Sequence, residues 1–130
     1  VFAGAPDPYD DESFMDDLRA VAATAHVQAD TRILLSHRPE HFELYASMGY
    51  DVSLTGHAHG GQVNLPAVGP ILAPNQGFLP EHAEGVHSTE GLTKTHHMVV
   101  SRGIGNSILP LRINNDPEVI VITLRRSEAS

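Results

Sequence analysis

Apolar positions along the chain recur at two spacings, and the change from one to the other marks the elements. The apolar run at 1–5 meets Pro6, Asp7 and Pro8 and predicts a strand stopped by a turn. Phe14, Met15, Leu18, Val21, Ala22 and Ala25 then fall at helical spacing, predicting a helix over 11–25. Asp10, Asp11 and Glu12 stand where the helix dipole favours negative charge, so this acidic run reads as a helix start. Ile33-Leu34-Leu35 predicts a second strand, after which the chain turns at His37-Arg38 into Pro39, a good first helical residue. Phe42, Tyr45 and Met48 give the helix over 39–48 one apolar face. Gly49 stops it, and Val52 and Leu54 open a strand that ends at Gly56.

Strand, turn, helix, turn, strand is a βαβ unit, whose two strands run parallel and close together in one sheet. From Gly60 to Gly85 four prolines interrupt any period, which predicts a long, partly hairpin-like excursion. The runs at 98–100 and 119–124 are near-continuously apolar, the pattern of buried strands. No repeat or linker divides the 130 residues. The expected fold class is therefore α/β, one unit with a mixed β-sheet and flanking helices.

Composition narrows the chemistry. Eight Lys+Arg against sixteen Asp+Glu give a formal charge of -8, the wrong sign for neutralising phosphate backbones, so no nucleic-acid partner is expected. The absence of cysteine removes disulfides, thiolate nucleophiles and Cys-type zinc sites, leaving His and carboxylates as metal ligands. Nine histidines outnumber all the lysines and arginines together. The longest apolar stretches fall far short of the roughly 20 residues that span a bilayer, and the acidic start lacks a signal peptide's basic region. The chain reads as soluble, its compartment unassigned. Its opening at Val1, without an initiator Met and inside a strand, reads as a fragment of something longer.

His37 directly follows the first strand of the βαβ unit and His57 the second. Sites in α/β sheets form at the carboxyl ends of parallel strands, and neighbouring strands lie about 4.8 Å apart, so two imidazoles at equivalent ends can converge on one ion. His59 lies two residues further on, with Ala58 between and Gly60-Gly61 after, leaving room for a tight bend. Imidazole suits Zn, Mn, Fe or Ni, and spacing does not choose among them. His26, His41, His82, His87, His96 and His97 read as ordinary solvated side chains. Arg102, with Gly103 and Gly105, can present a cation and backbone N–H groups to a phosphate, while a plain turn between strands explains the same residues without a ligand. Asp7, at another strand end, reads as a turn residue or a carboxylate behind the site.

Three ordered blocks, Leu34-Leu35-Ser36-His37-Arg38-Pro39, Leu54-Thr55-Gly56-His57-Ala58-His59-Gly60-Gly61-Gln62 and Val100-Ser101-Arg102-Gly103-Ile104-Gly105, resemble the C-terminal half of calcineurin-like metallophosphoesterases. The likeness is to the bacterial branch with a Gly-His-x-His-Gly-Gly-Gln signature and runs from about Ile33 to Leu124. It implies half of an αββα sandwich. It also implies phosphatase or phosphodiesterase chemistry, in which two divalent ions about 3.5 to 4 Å apart generate the nucleophile that attacks a phosphate mono- or diester. Carried over, His37 and His57 would bind one ion and His59 the other, the metals being Mn, Fe, Zn or Ni.

The family's Asp-x-His, Gly-Asp-x-x-Asp and Gly-Asn-His blocks, which carry the bridging carboxylate and the catalytic histidine, do not occur in these 130 residues. The expectation is that 1–130 is the C-terminal part of such a domain without its N-terminal half. No catalytic residue lies in this chain on that reading, which binds one metal or none alone and is inactive. A noncatalytic metal-binding or self-association module is the alternative. A serine hydrolase is excluded because no Gly-x-Ser-x-Gly occurs. The apolar, proline-rich 65–80 segment and the family's lipid-linked members leave room for a lipid-linked substrate and a peripheral membrane association. Cutting a two-sheet sandwich in half would leave an apolar face bare, so the chain is expected to self-associate through its 98–100 and 119–124 strands.

Overall fold

The computed structural model describes residues 1–7, 11–24, 29–107 and 110–125, so that Pro8, Asp10, Ala25 and His26 lie outside it. The elements run β1 (Phe2–Gly4), α1 (Asp11–Thr24), β2 (Ile33–Leu35), α2 (Phe42–Ser47) and β3 (Val52–Thr55). Four two-residue strands follow, β4 (Asn64–Leu65), β5 (Gly69–Pro70), β6 (Leu72–Ala73) and β7 (Gly77–Phe78), and then β8 (Gly85–Glu90) and β9 (Thr95–Val100). The main sheet has the order β1-β2-β3-β9-β8, with β1, β2, β3 and β9 parallel and β8 antiparallel at the edge. This is the expected α/β architecture with a mixed sheet. The 60–85 excursion consists of two small hairpins, β4–β5 and β6–β7.

The second helix forms in two steps. Pro39 opens a 3₁₀ turn, Pro39–His41, because its ring presets the helical φ and it has no N–H to leave unpaired. The chain then widens into α2, which buries Phe42, Tyr45 and Ala46. Leu34, Ser53 and Met98 are partners in register on adjacent strands and share one face. Against it Phe14 and Leu18 of α1 pack with Leu34, Tyr45 and Tyr50, and Phe42 packs with Ala58, Met98 and Val100. Both helices thus bring apolar side chains to the sheet, which fixes the β2 and β3 ends from which the candidate ligands emerge.

Two expectations are corrected. Residues 119–124 form no strand: Val119 is 81% and Val121 89% exposed. A β-branched run becomes a strand only where a neighbour's N–H and C=O groups meet its own, and none does so among the described residues. Just before it, the Glu118 N–H donates to the Gly103 carbonyl at 3.1 Å. Conversely, Gly85–Glu90 is a strand that the apolar pattern did not announce. It pairs along its whole length with β9 while its side chains stay mostly in water.

Candidate metal centre

The parallel register sets Leu35 beside Leu54, so the turns after β2 and β3 leave the sheet side by side. The Gly56 N–H donates to the His37 carbonyl at 3.3 Å, which joins them. The rings of His37 and His57 stand 4.6 Å apart, edge to face. Asp7, beyond the end of β1, completes a group in which one ligand atom from each of Asp7, His37 and His57 lies within 4.8 Å of the others. One carboxylate and two imidazoles suit a borderline divalent cation.

The surroundings fix each member. Arg38, its side chain almost wholly buried, donates from Nε to Asp7 at 2.7 Å, while the same carboxylate lies 3.9 Å from His37 Nε2. The Tyr45 hydroxyl donates to the Arg38 carbonyl at 2.6 Å and accepts from Ser36 Oγ at 2.8 Å, so it braces both neighbours of His37 from below. Burial among these groups pushes the phenol pKa of Tyr45 above its ordinary value. Desolvation, and next the charge of His37, lowers the His57 pKa, which keeps its imidazole neutral and able to donate a lone pair. Asn75 Nδ2 stands 3.4 Å from His57 Nε2 and bonds Glu40 at 2.9 Å.

His59 does not join this group. It sits in a run of left-handed residues, His59, Gly60, Gly61 and Gln62, with φ of 49°, 61°, 72° and 55°. Its Nδ1 is buried without a hydrogen-bond partner, and burial followed by the Arg112 charge lowers its pKa. A buried imidazole nitrogen without a partner is uncommon in a folded chain. The turn is fastened from the C-terminal segment, where Asn115, 2% exposed, donates from Nδ2 to the His59 carbonyl at 2.6 Å. Arg102 is occupied in the same region, pairing with Glu118 at 2.9 Å and Glu84 at 3.3 Å.

Sequence reasoning placed His37 and His57 together and undervalued Asp7. The signal was its position at the end of a third parallel strand, which the pairing of β1 with β2 makes explicit. Of the other histidines, His96 departs most from a solvated reading. It is fully buried in β9, donating from Nδ1 to the Tyr50 carbonyl at 2.7 Å and accepting at Nε2 from Ser53 Oγ at 3.0 Å. His41 stacks on Phe14, and His97 is exposed beside Ser88.

No family model matches the chain, and no solved structure does. Curated relatives do. The uncharacterized metallophosphoesterase YkuE of Bacillus subtilis is 41% identical over 93 residues, 72% of this chain and 30% of the relative. Phosphodiesterase YaeI of Escherichia coli is 35% identical over 95 residues, 72% of this chain and 32% of its own length. The uncharacterized metallophosphoesterase Cj0846 of Campylobacter jejuni is 32% identical over 93 residues, 72% of this chain and 22% of the relative. The chain thus spans about a third or less of the length of these relatives. Three parallel strand ends gather one carboxylate and two imidazoles in a sequence that is similar, over most of its length, to part of these metallophosphoesterases and of the phosphodiesterase.

Proposed function

We propose that the chain supplies part of the metal centre of a divalent-metal-dependent phosphoesterase acting on phosphate mono- or diesters. The convergence of Asp7, His37 and His57 at the carboxyl edge of the sheet carries this reading. His37 and His57 are the ligands of one ion, with Asp7 beside them, and His59 is the ligand of a second. When bound, such ions supply the nucleophile and polarise phosphoryl oxygens. The residues of this chain hold, orient and desolvate. Arg38 and Tyr45 fix the His37 turn, and the depressed pKa of His57 keeps that ligand deprotonated at neutral pH. For Arg102 to meet a substrate phosphate, the anion must displace one of the two carboxylates it now holds.

The same reading takes 1–130 as the C-terminal part of the catalytic domain, with Mn, Fe, Zn or Ni as the metals. It also makes the chain alone inactive and self-associating. Among the described residues no helix is long and apolar enough to cross a membrane. Exposed Leu65, Val68, Leu72, Phe78 and Leu79 favour a lipid-bearing substrate or a membrane surface next to the site.

Calorimetric titration with Mn²⁺ tests the ligand assignment. The native chain should bind, and His57→Ala should weaken binding at least tenfold; equal heats from both reject it. Hydrolysis of a chromogenic phosphodiester should stay at background for the chain alone and appear when a segment carrying the three missing blocks is joined to it. Turnover by the isolated chain overturns the division of the site.

A further inference from the structure

Beside Phe42 stands a second pair of imidazoles. His82 follows the β6–β7 hairpin and His87 lies in β8, and their Nδ1 atoms face each other at 3.4 Å. The Nε2 of His87 is 3.0 Å from the Glu84 carbonyl. A carbonyl only accepts, so a neutral His87 ring carries its proton on Nε2 and turns its Nδ1 lone pair towards Nδ1 of His82. This is the arrangement by which a backbone carbonyl fixes the tautomer of a metal-binding histidine. We propose that His82 and His87 form a second cation site, binding a borderline divalent ion such as Zn²⁺ through both Nδ1 atoms in tetrahedral geometry.

The distance is what singles out that geometry. Two nitrogens each about 2.0–2.1 Å from one ion at the tetrahedral angle stand about 3.4 Å apart, the separation already present between His82 and His87. At an octahedral right angle they would stand about 2.9 Å apart, so the pair is prespaced for Zn²⁺ rather than Mg²⁺ or Mn²⁺.

Both ligands are held in place. The Gln76 side chain grips the His82 backbone twice, donating from Nε2 to its carbonyl at 2.9 Å and accepting its N–H at 2.8 Å. Phe42 packs edge-on against both rings, 5.1 Å from His82 and 6.2 Å from His87. Burial, and then the neighbouring His87, lowers the His82 pKa, which favours the neutral ring. Glu81 and Glu43 act on it with the opposite sign and supply the negative field that attracts a cation. A hollow of about 440 Å³ bordered by Glu43, Gln76, Glu81 and His82 lies on the His82 side of the pair. On binding, the Nδ1 proton of His82 moves to its Nε2, and no net charge is lost from the pair.

Because this site shares no ligand with the Asp7-His37-His57 group, the two are separable. In a His37→Ala, His57→Ala double variant, Co²⁺ as a spectroscopic stand-in for Zn²⁺ should still give the intense visible bands of a tetrahedral complex at one equivalent. Adding His87→Gln should abolish them, and His82→Gln should do the same. A double variant without tetrahedral Co²⁺ absorption overturns the proposal, as does absorption indifferent to both glutamine substitutions. Should a variant fail to fold, the imidazole ¹⁵N resonances of the native chain decide. Zn²⁺ should shift Nδ1 of both His82 and His87, and unmoved resonances overturn the proposal.

Discussion

His96 shows at the scale of one residue how this fold holds polar groups inside an apolar sheet. Its ring fills a central strand position, and both nitrogens are satisfied by Tyr50 and Ser53, which keeps the desolvation cost from becoming an unmet hydrogen bond. Burial lowers its pKa first, against the raising effect of the Tyr50 carbonyl. A histidine whose folded pKa is depressed stays neutral in the native chain while the unfolded chain takes up a proton. Its stability contribution is therefore complete above the unfolded value of about 6.5 and lost as pH falls below it. Without metal, the urea midpoint should hold steady above about pH 7.5 and fall between pH 6.5 and 5; a midpoint that rises on acidification would refute this. His96→Gln should flatten that slope although it lowers stability overall. Side chains of this kind are opaque to sequence reading. His96 and His97 are adjacent and chemically identical, and only the pleat sends one into the core and the other into water.

Among the elements, the turn after β3 carries the tightest geometric demand. A Cβ on Gly61 would meet the Pro70 ring and the Pro70 backbone at 2.4 and 2.9 Å, while one on Gly60 would meet the Asn115 and Arg102 side chains at 2.4 and 2.7 Å. Both residues have positive φ, as does Gly103, where a Cβ would meet nothing within 4 Å. Gly103→Ala should thus cost only backbone strain, about 1–2 kcal/mol. Gly60→Ala should cost more, and Gly61→Ala, blocked by main chain that cannot rotate away, the most, at about 3 kcal/mol or above. Urea unfolding of the three variants ranks them, and any other order contradicts the packing described. The βαβ unit was legible because its strands are short apolar runs bracketed by turn residues, and the placing of His37 and His57 at adjacent strand ends came with it. The β8 strand was not, because an edge strand with side chains in water has no apolar alternation to read. Residues 119–124 misled for the opposite reason, since an apolar run shows that a residue wants cover but not that a neighbouring strand is there to give it.

For the molecule as a whole, the two faces of the sheet are unequal. One is closed by α1 and α2, and Met98 and Val100 lie fully buried beneath it, so these two do not form the exposed surface expected of them. On the other face, adjacent strands place Leu35, Leu54, Val99 and Val86 in one row and Phe2 and Val52, on either side of the buried Ile33, in the next. Phe2 is 70% and Val86 69% exposed, and both Val119 and Val121 add further apolar surface. Soluble monomers seldom carry a contiguous apolar area of more than a few hundred Å². Two copies that bring this face together remove it from water at about 25 cal/mol per Å². The net charge of -8 works against that contact, and salt that screens it should strengthen it. Sedimentation of the isolated chain should therefore show a dimer whose fraction rises with ionic strength. Val86→Lys, which sets a cation at the edge-strand end of the row, should return it to monomer without changing its circular dichroism. A native chain that stays monomeric at high concentration and high salt would show that the bare face of the sheet is tolerated in water, and the association would be rejected.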